Sequence, residues 1–176
     1  SDETKSLVLS LLGEETDVPM VIDADGINVL GGNISLLALA RRPIILTPHP
    51  LEFSRLTGLS VSEIQSSREK RAREFAKKYR VTLLLKGKDT VITDGEKTFI
   101  NPTGSNAIAK GGSGDVLTGM ICAFLAQGSS PMDASAIAAF LHGAAGERLA
   151  KVYSDYGVLP SELPAEAAKY LCEVIK

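Results

Sequence analysis

The chain has 176 residues, 44% of them apolar and 23% charged, with a formal net charge of −2 at pH 7. That is enough apolar chain to bury a substantial core as one domain, and the near balance of charge gives no footing for nucleic acid or an anionic membrane as partner. No apolar run reaches the length of a membrane span and the N-terminus has no signal-peptide pattern, so the expected setting is cytoplasmic.

In chain order, residues 20–22, 44–46 and 81–85 are apolar segments rich in Val, Ile and Leu, too short for helices, and they predict buried parallel strands. Residues 62–79 carry a helical pattern. Ile64, Ala72, Phe75, Ala76 and Tyr79 share one face, while Arg68, Glu69, Lys70, Arg73, Glu74, Lys77 and Lys78 take the other as a solvated surface. Residues 90–93 and 97–100 flank Asp94-Gly95, a pair suited to a type I′ hairpin turn. Residues 115–126 form a helix apolar almost all round, which predicts burial; Cys122 within it and Cys172 read as reduced packing residues. Ser130-Pro131 is a capped start for a helix over 134–153, in which His142 is expected to be packed or capping. A last helix is expected over 161–174.

Strands alternating with helices define an α/β domain with right-handed crossovers, whose ligands bind beyond the carboxyl ends of the strands. Asp23-Ala24-Asp25-Gly26, Thr47-Pro48-His49-Pro50 and Lys86-Gly87-Lys88-Asp89-Thr90 follow the first, second and third strands, so all three polar clusters are expected on one sheet edge. If the loop before Asp115 reaches that edge, four segments converge on one cleft. That loop lies in the run from Asn101 to Gly119, where glycines and hydroxyls feed directly into a helix. Small residues let backbone N–H groups approach an anion, and the helix start adds partial positive charge. Asp115 in the first turn would repel a bound phosphate, which points to chemistry as well as binding.

Lys86 and Thr90 can offer a cation and a hydroxyl to a nucleotide, or form a solvated strand exit. His49, stiffened by prolines on both sides, can orient a polar substrate or cap the following helix. Asp23 and Asp25 can bind a metal or cap a helix. The sequence has no nucleophilic triad, Cys-rich metal site, G-x-x-x-x-G-K-[ST] loop or dinucleotide fingerprint. An anion hole with a carboxylate, a lysine and a histidine suits phosphoryl transfer to a hydroxyl.

The elements Gly111-Gly112-Ser113-Gly114-Asp115-Val116-Leu117-Thr118-Gly119, Leu46-Thr47-Pro48-His49-Pro50-Leu51-Glu52-Phe53, Lys86-Gly87-Lys88-Asp89-Thr90 and Val21-Ile22-Asp23-Ala24-Asp25 together resemble the ADP/ATP-dependent NAD(P)H-hydrate dehydratases of the ribokinase-like superfamily. The resemblance implies a layered α/β fold with a mostly parallel central sheet flanked by helices, plus a β-hairpin. It implies that ADP or ATP, with Mg2+, drives dehydration of the S epimer of hydrated NADH or NADPH. Asp115 would be the base on the hydroxyl and contact the hydrate. His49, Pro50, Leu51, Glu52, Phe53, Ser54 and Arg55 would line the hydrate pocket. Lys86, Gly87, Lys88, Asp89 and Thr90 would hold the nucleotide, with Ser105, Asn106, Ala107, Ile108, Ala109, Lys110, Gly111, Gly112, Ser113 and Gly114.

The same resemblance implies a homo-oligomer. Ser105-Asn106-Ala107 departs from the family's usual asparagine, proline and glycine. Family members have strands and a glycine-rich turn before the point matching Ser1-Asp2-Glu3-Thr4, so the expectation is a single domain, 1–176, lacking those strands, with an unpaired sheet edge and a companion N-terminal segment. Two other readings stand beside this one. They are a ribokinase-like kinase of a sugar or vitamin precursor, and an inactive nucleotide-binding fragment.

Overall fold

In the computed structural model, which describes residues 2–175, the chain divides into two units, Ser1–Ile100 and Asn101–Lys176. Ser1, the first residue of the expected helix start, lies outside the described residues. The first unit contains α1 (Asp2–Leu12), β1 (Met20–Ile22), α2 (Asp25–Leu30), a 3-10 turn at Ile34–Leu39, β2 (Ile44–Leu46), α3 (Pro50–Thr57), α4 (Val61–Ser66), α5 (Arg68–Tyr79), β3 (Thr82–Leu85), β4 (Val91–Thr93) and β5 (Thr98–Ile100).

The sheet order β1-β2-β3-β4-β5 follows the chain. Both β1–β2 and β2–β3 are parallel, whereas β3–β4 and β4–β5 are antiparallel, so the sheet is mixed rather than mostly parallel. Connection length decides whether each pair runs parallel or antiparallel. The segments before β2 and β3 are long enough to carry crossover helices, while 86–90 and 94–97 can only turn the chain back. Ile44, Ile45, Leu46, Leu83, Leu84 and Leu85 are all buried, and each such side chain stabilises the fold by about 1.5–3 kcal/mol.

Two local expectations need correction. The helix expected over 62–79 breaks at Ser67, whose φ of −151° and ψ of 45° separate α4 from α5. The Ser66 hydroxyl donates to the Glu63 carbonyl and the Ser67 N–H to Ile64, so the serine pair closes the first helix instead of continuing it. The break leaves Arg68 half-buried rather than on the solvated face. The hairpin is not a type I′ turn on Asp94-Gly95. Thr93 pairs with Thr98, the Asp94 carboxylate accepts the N–H groups of Glu96 and Lys97, and only Gly95 has a positive φ, of 94°. A Cβ at Gly95 would lie 2.6 Å from the Lys77 nitrogen, so α5 and the loop meet only through glycine.

The second unit has a 3-10 turn at Asn106–Ile108, then α6 (Ser113–Ala126), α7 (Pro131–Gly157), a 3-10 turn at Pro160–Glu162 and α8 (Leu163–Val174). Its core joins Ala107, Leu141, Ala145, Leu149, Val158, Leu163 and Ala167. The Ser130 hydroxyl caps α7 by accepting the Asp133 N–H, and the helix stays regular until Ser154, at φ 61°. Small residues let α7 approach the preceding loop closely. A Cβ at Gly143 would sit 2.7 Å from the carbonyl carbon of Thr103, and one at Gly146 would overlap Ile108.

The burial expected for α6 is only partly realised. Ser113, Leu117 and Ile121 are buried, but Gly119, Cys122, Ala123 and Ala126 are exposed. Apolar composition supplies the capacity for burial, and within this unit only one side of the helix finds a partner. Cys122 and Cys172 are correspondingly free, exposed thiols rather than packing residues. Among the described residues no helix is long and apolar enough to cross a membrane.

Candidate active site

The ends of β1, β2 and β3 are tied to one another. Beyond β2, the N–H of Thr47 donates to the Ile22 carbonyl at 3.2 Å, and beyond β3 the N–H of Lys86 donates to the Pro48 carbonyl at 2.8 Å. The side chains repeat the connection. Lys86 Nζ lies 2.8 Å from Asp23 Oδ1 and 3.9 Å from Glu52 Oε2, with side-chain exposures of 23%, 11% and 7%. Burial pushes the Asp23 carboxyl up, but the hydrogen bond and charge of Lys86, with the Thr47 hydroxyl and the Ala24 backbone, hold it below the usual carboxylate range. The three strand ends are therefore brought together as expected, joined through the backbone and with the Lys86 ammonium between Asp23 and Glu52.

His49 caps α3. Its Nδ1 accepts the N–H groups of Leu51 and Glu52 at 3.1 and 3.2 Å, while the His49 backbone N–H donates to Glu52 Oε2 at 2.7 Å. An Nδ1 that accepts leaves the ring proton on Nε2, which lies 3.4 Å from Glu52 Oε1. Of the two readings open for His49, capping is realised, and the ring remains half-exposed. In the rest of the segment, Leu51 and Arg55 are exposed, Pro50 and Ser54 are partly buried, and Glu52 and Phe53 are buried. Arg55 donates to Asn28 Oδ1 at 2.9 Å. Asp25 is exposed in the first turn of α2, so the two aspartates play different parts.

The loop after β3 is shaped from beneath by a residue that the sequence pattern misassigns. Arg68 Nη2 donates to the carbonyls of Leu85 and Lys86 at 2.9 and 3.3 Å. A Cβ at Gly87, where φ is 140°, would lie 3.1 Å from that guanidinium. The Thr90 hydroxyl donates back to the Gly87 carbonyl at 2.8 Å, closing the loop, and Lys88 and Asp89 are exposed on it. Burial lowers the affinity of Arg68 for its proton, and the charge of Asp89 opposes this.

In the second unit, the Ser105 hydroxyl accepts the Ala107 N–H, starting the 3-10 turn through Asn106 and Ile108, and Ala109 is exposed. Lys110 Nζ donates to the carbonyls of Tyr156 and Val158, both at 2.9 Å, so its charge is spent on the end of α7. Gly111 is exposed, and Gly112 turns the chain at φ 87° into α6. The Ser113 N–H donates to Lys110 and that of Val116 to Gly112, while those of Gly114 and Asp115 have no acceptor among the described residues. Two free amides at a helix start, beside an exposed Asp115 carboxylate, are what an anion hole with a neighbouring base requires. His142 is buried behind this turn, as expected for a packed residue.

Polar loops gathered beyond the parallel strands, and a glycine turn opening a helix on unpaired amides, define a ribokinase-like α/β protein. A ribokinase-like superfamily protein from Enterococcus faecalis superposes with a TM-score of 0.81 at 29% identity, over 96% of this chain and 58% of that one. The chain belongs to the NAD(P)H-hydrate dehydratase family, whose model matches residues 2–169. It is 41% identical to the ADP-dependent (S)-NAD(P)H-hydrate dehydratase of Bacillus subtilis, over 84% of this chain and 52% of that protein. It is 42% identical to the bifunctional NAD(P)H-hydrate repair enzyme Nnr of Moorella thermoacetica, over 91% of this chain and 30% of that protein. The crystal structure of the Bacillus subtilis ADP/ATP-dependent enzyme, co-crystallized with ATP/Mg2+ and soaked with CoA, gives a TM-score of 0.84 at 35% identity, over 98% of this chain and 62% of that one. The chain thus spans about half or less of the length of the two named relatives.

Proposed function

We propose that the protein containing this chain is an ADP- or ATP-dependent dehydratase that returns (6S)-hydrated NADH and NADPH to the reduced dinucleotides. The observation that carries this reading is the start of α6, where the free amides of Gly114 and Asp115 adjoin an exposed carboxylate without a hydrogen-bond partner among the described residues. Membership of the hydrate dehydratase family supports it.

Asp115 takes the proton of the ring hydroxyl as the hydroxyl oxygen attacks the terminal phosphorus of the nucleotide, whose bridging P–O bond breaks to release AMP from ADP or ADP from ATP. Charge developing on the transferred group meets the two amides, which are held in place before the reaction. The C–O bond then breaks with phosphate as leaving group, and loss of a ring proton restores the dihydronicotinamide. In 49–55, half-exposed His49 and exposed Leu51 and Arg55 present contacts to the hydrate, with Pro50 and Ser54 at their flanks and buried Glu52 and Phe53 as support. Residues 86–90 and 105–114 hold the nucleotide.

Among the described residues no group of three or more His, Cys, Asp or Glu side chains could hold a metal ion. Mg2+ would arrive on the nucleotide's phosphates, where it would neutralise charge. The reading carries with it a cytoplasmic setting and a homo-oligomeric assembly, the latter checked by light scattering. The test of function is recovery of reduced-ring absorbance from S-NADHX by the intact protein with Mg2+ and either nucleotide. Asp115→Asn should abolish turnover while leaving nucleotide binding within a few-fold, because an amide cannot take the proton. A stable phosphorylated product, or no recovery, would overturn the reading.

A further inference from the structure

His142 is 5% exposed in the middle of α7, and the residue it meets, Ser113, is 3% exposed at the start of α6. Its Nε2 lies 3.0 Å from the Ser113 carbonyl oxygen and 3.1 Å from the Ser113 hydroxyl. A carbonyl can only accept, so that contact places the ring proton on Nε2. Burial lowers the imidazole to a pKa of about 4, against a smaller upward effect of the Ser113 backbone, and the ring stays neutral near pH 7. Its contribution there is directional rather than a charge.

The direction matters because Ser113 has glycines on both sides. Gly111, Gly112 and Gly114 leave the backbone around it nearly unrestrained, with Gly112 at φ 87°. The first turn of α6 also has no side-chain cap. Lys110 anchors the approach to this turn at the end of α7, Ser113 is where the helix start itself is held from the middle of α7, and the Gly114 and Asp115 amides follow immediately. We infer that His142 is a positioning residue, which sets the free amides and the Asp115 carboxylate by holding Ser113 from behind.

The activity readout rests on the dehydratase reading, so the test has two arms. In the first, kcat and KM are measured per folded molecule for wild type, His142→Leu and His142→Gln, the glutamine being able to carry an N–H to the Nε2 position. A displacement of a reacting group by about 1 Å can cost ~100-fold in rate. His142→Leu should therefore lose roughly 10- to 100-fold in kcat, with a smaller change in KM for the hydrate, and His142→Gln should return to within about threefold of wild type. In the second arm, hydrogen exchange at the bonded amides of Ser113 and Val116 should accelerate in His142→Leu and recover in His142→Gln.

If wild type does not restore the reduced ring, the dehydratase reading fails and the exchange arm alone decides this one. Unchanged exchange together with unchanged kcat in folded His142→Leu overturns the inference. So does a folded His142→Gln that loses as much as His142→Leu, since that would make the residue merely structural. Should His142→Leu not fold, His142→Gln decides, with near-wild-type kcat supporting the inference and a tenfold loss overturning it.

Discussion

Replacing Gly143 by alanine sets two effects of known sign against each other. An alanine in a helix interior is favoured over glycine by up to ~1 kcal/mol. At Gly143, however, the new Cβ would overlap the Thr103 hydroxyl and lie 2.7 and 2.8 Å from the Thr103 carbonyl carbon and oxygen. Two of those atoms are backbone, so relief requires moving the chain, at about 1–3 kcal/mol for overpacking. The same shift endangers the 2.8 Å hydrogen bond from the Thr103 hydroxyl to the Phe140 carbonyl, for about 1 kcal/mol more. The net expectation is a loss of about 1–3 kcal/mol, or roughly 3–10 °C in melting temperature for a chain of this size. Thermal and urea unfolding by circular dichroism measure it, with Gly119→Ala as the control. Gly119 is exposed in α6 with nothing within 4 Å of a Cβ, so that variant should gain up to ~1 kcal/mol. If Gly143→Ala unfolds at or above the wild-type midpoint, the close approach of α7 to the 101–108 loop is wrong.

Acidification should weaken the fold through His142. The group has a pKa of about 4 when folded against a reference of 6.5, so the unfolded chain takes up the proton first, and stability present above pH 6.5 is lost as pH falls towards 4. The limit is on the order of 3 kcal/mol, and urea midpoints should fall less steeply from pH 7 to pH 5 in His142→Gln than in wild type; equal slopes would refute the assignment. Lys86→Met removes the cation between Asp23 and Glu52. After discounting for partial exposure, it should cost about 1–3 kcal/mol in stability and weaken nucleotide binding at least tenfold by calorimetry. Unaltered nucleotide affinity would remove Lys86 from the binding site.

The parallel strands were legible because short Val/Ile/Leu segments have few alternatives to a buried sheet, and the polar clusters after them followed from the strand direction. The glycine turn before Asp115 was equally legible, since its residue types suit few backbone paths. Arg68 was not. On a helical wheel it sits among lysines and glutamates, and only the break at Ser67 and the carbonyls at the end of β3 turn it inward. For α6, composition measured the capacity for burial but not the presence of a partner, so the exposed side escaped notice. His49 shows the same limit on a smaller scale, because its neighbours are compatible with both capping and ligand contact, and only the Nδ1 hydrogen bonds reveal the cap.

The hold of Asp23 and Glu52 on Lys86 also has an entropic consequence. A free lysine side chain carries roughly 2 kcal/mol of rotamer freedom, which a binding partner must quench. Here the ammonium is confined between two carboxylates, 2.8 and 3.9 Å away, before any ligand is bound. The loss of freedom therefore falls on folding, and a ligand that engages Lys86 meets a preorganised group whose motion it need not arrest.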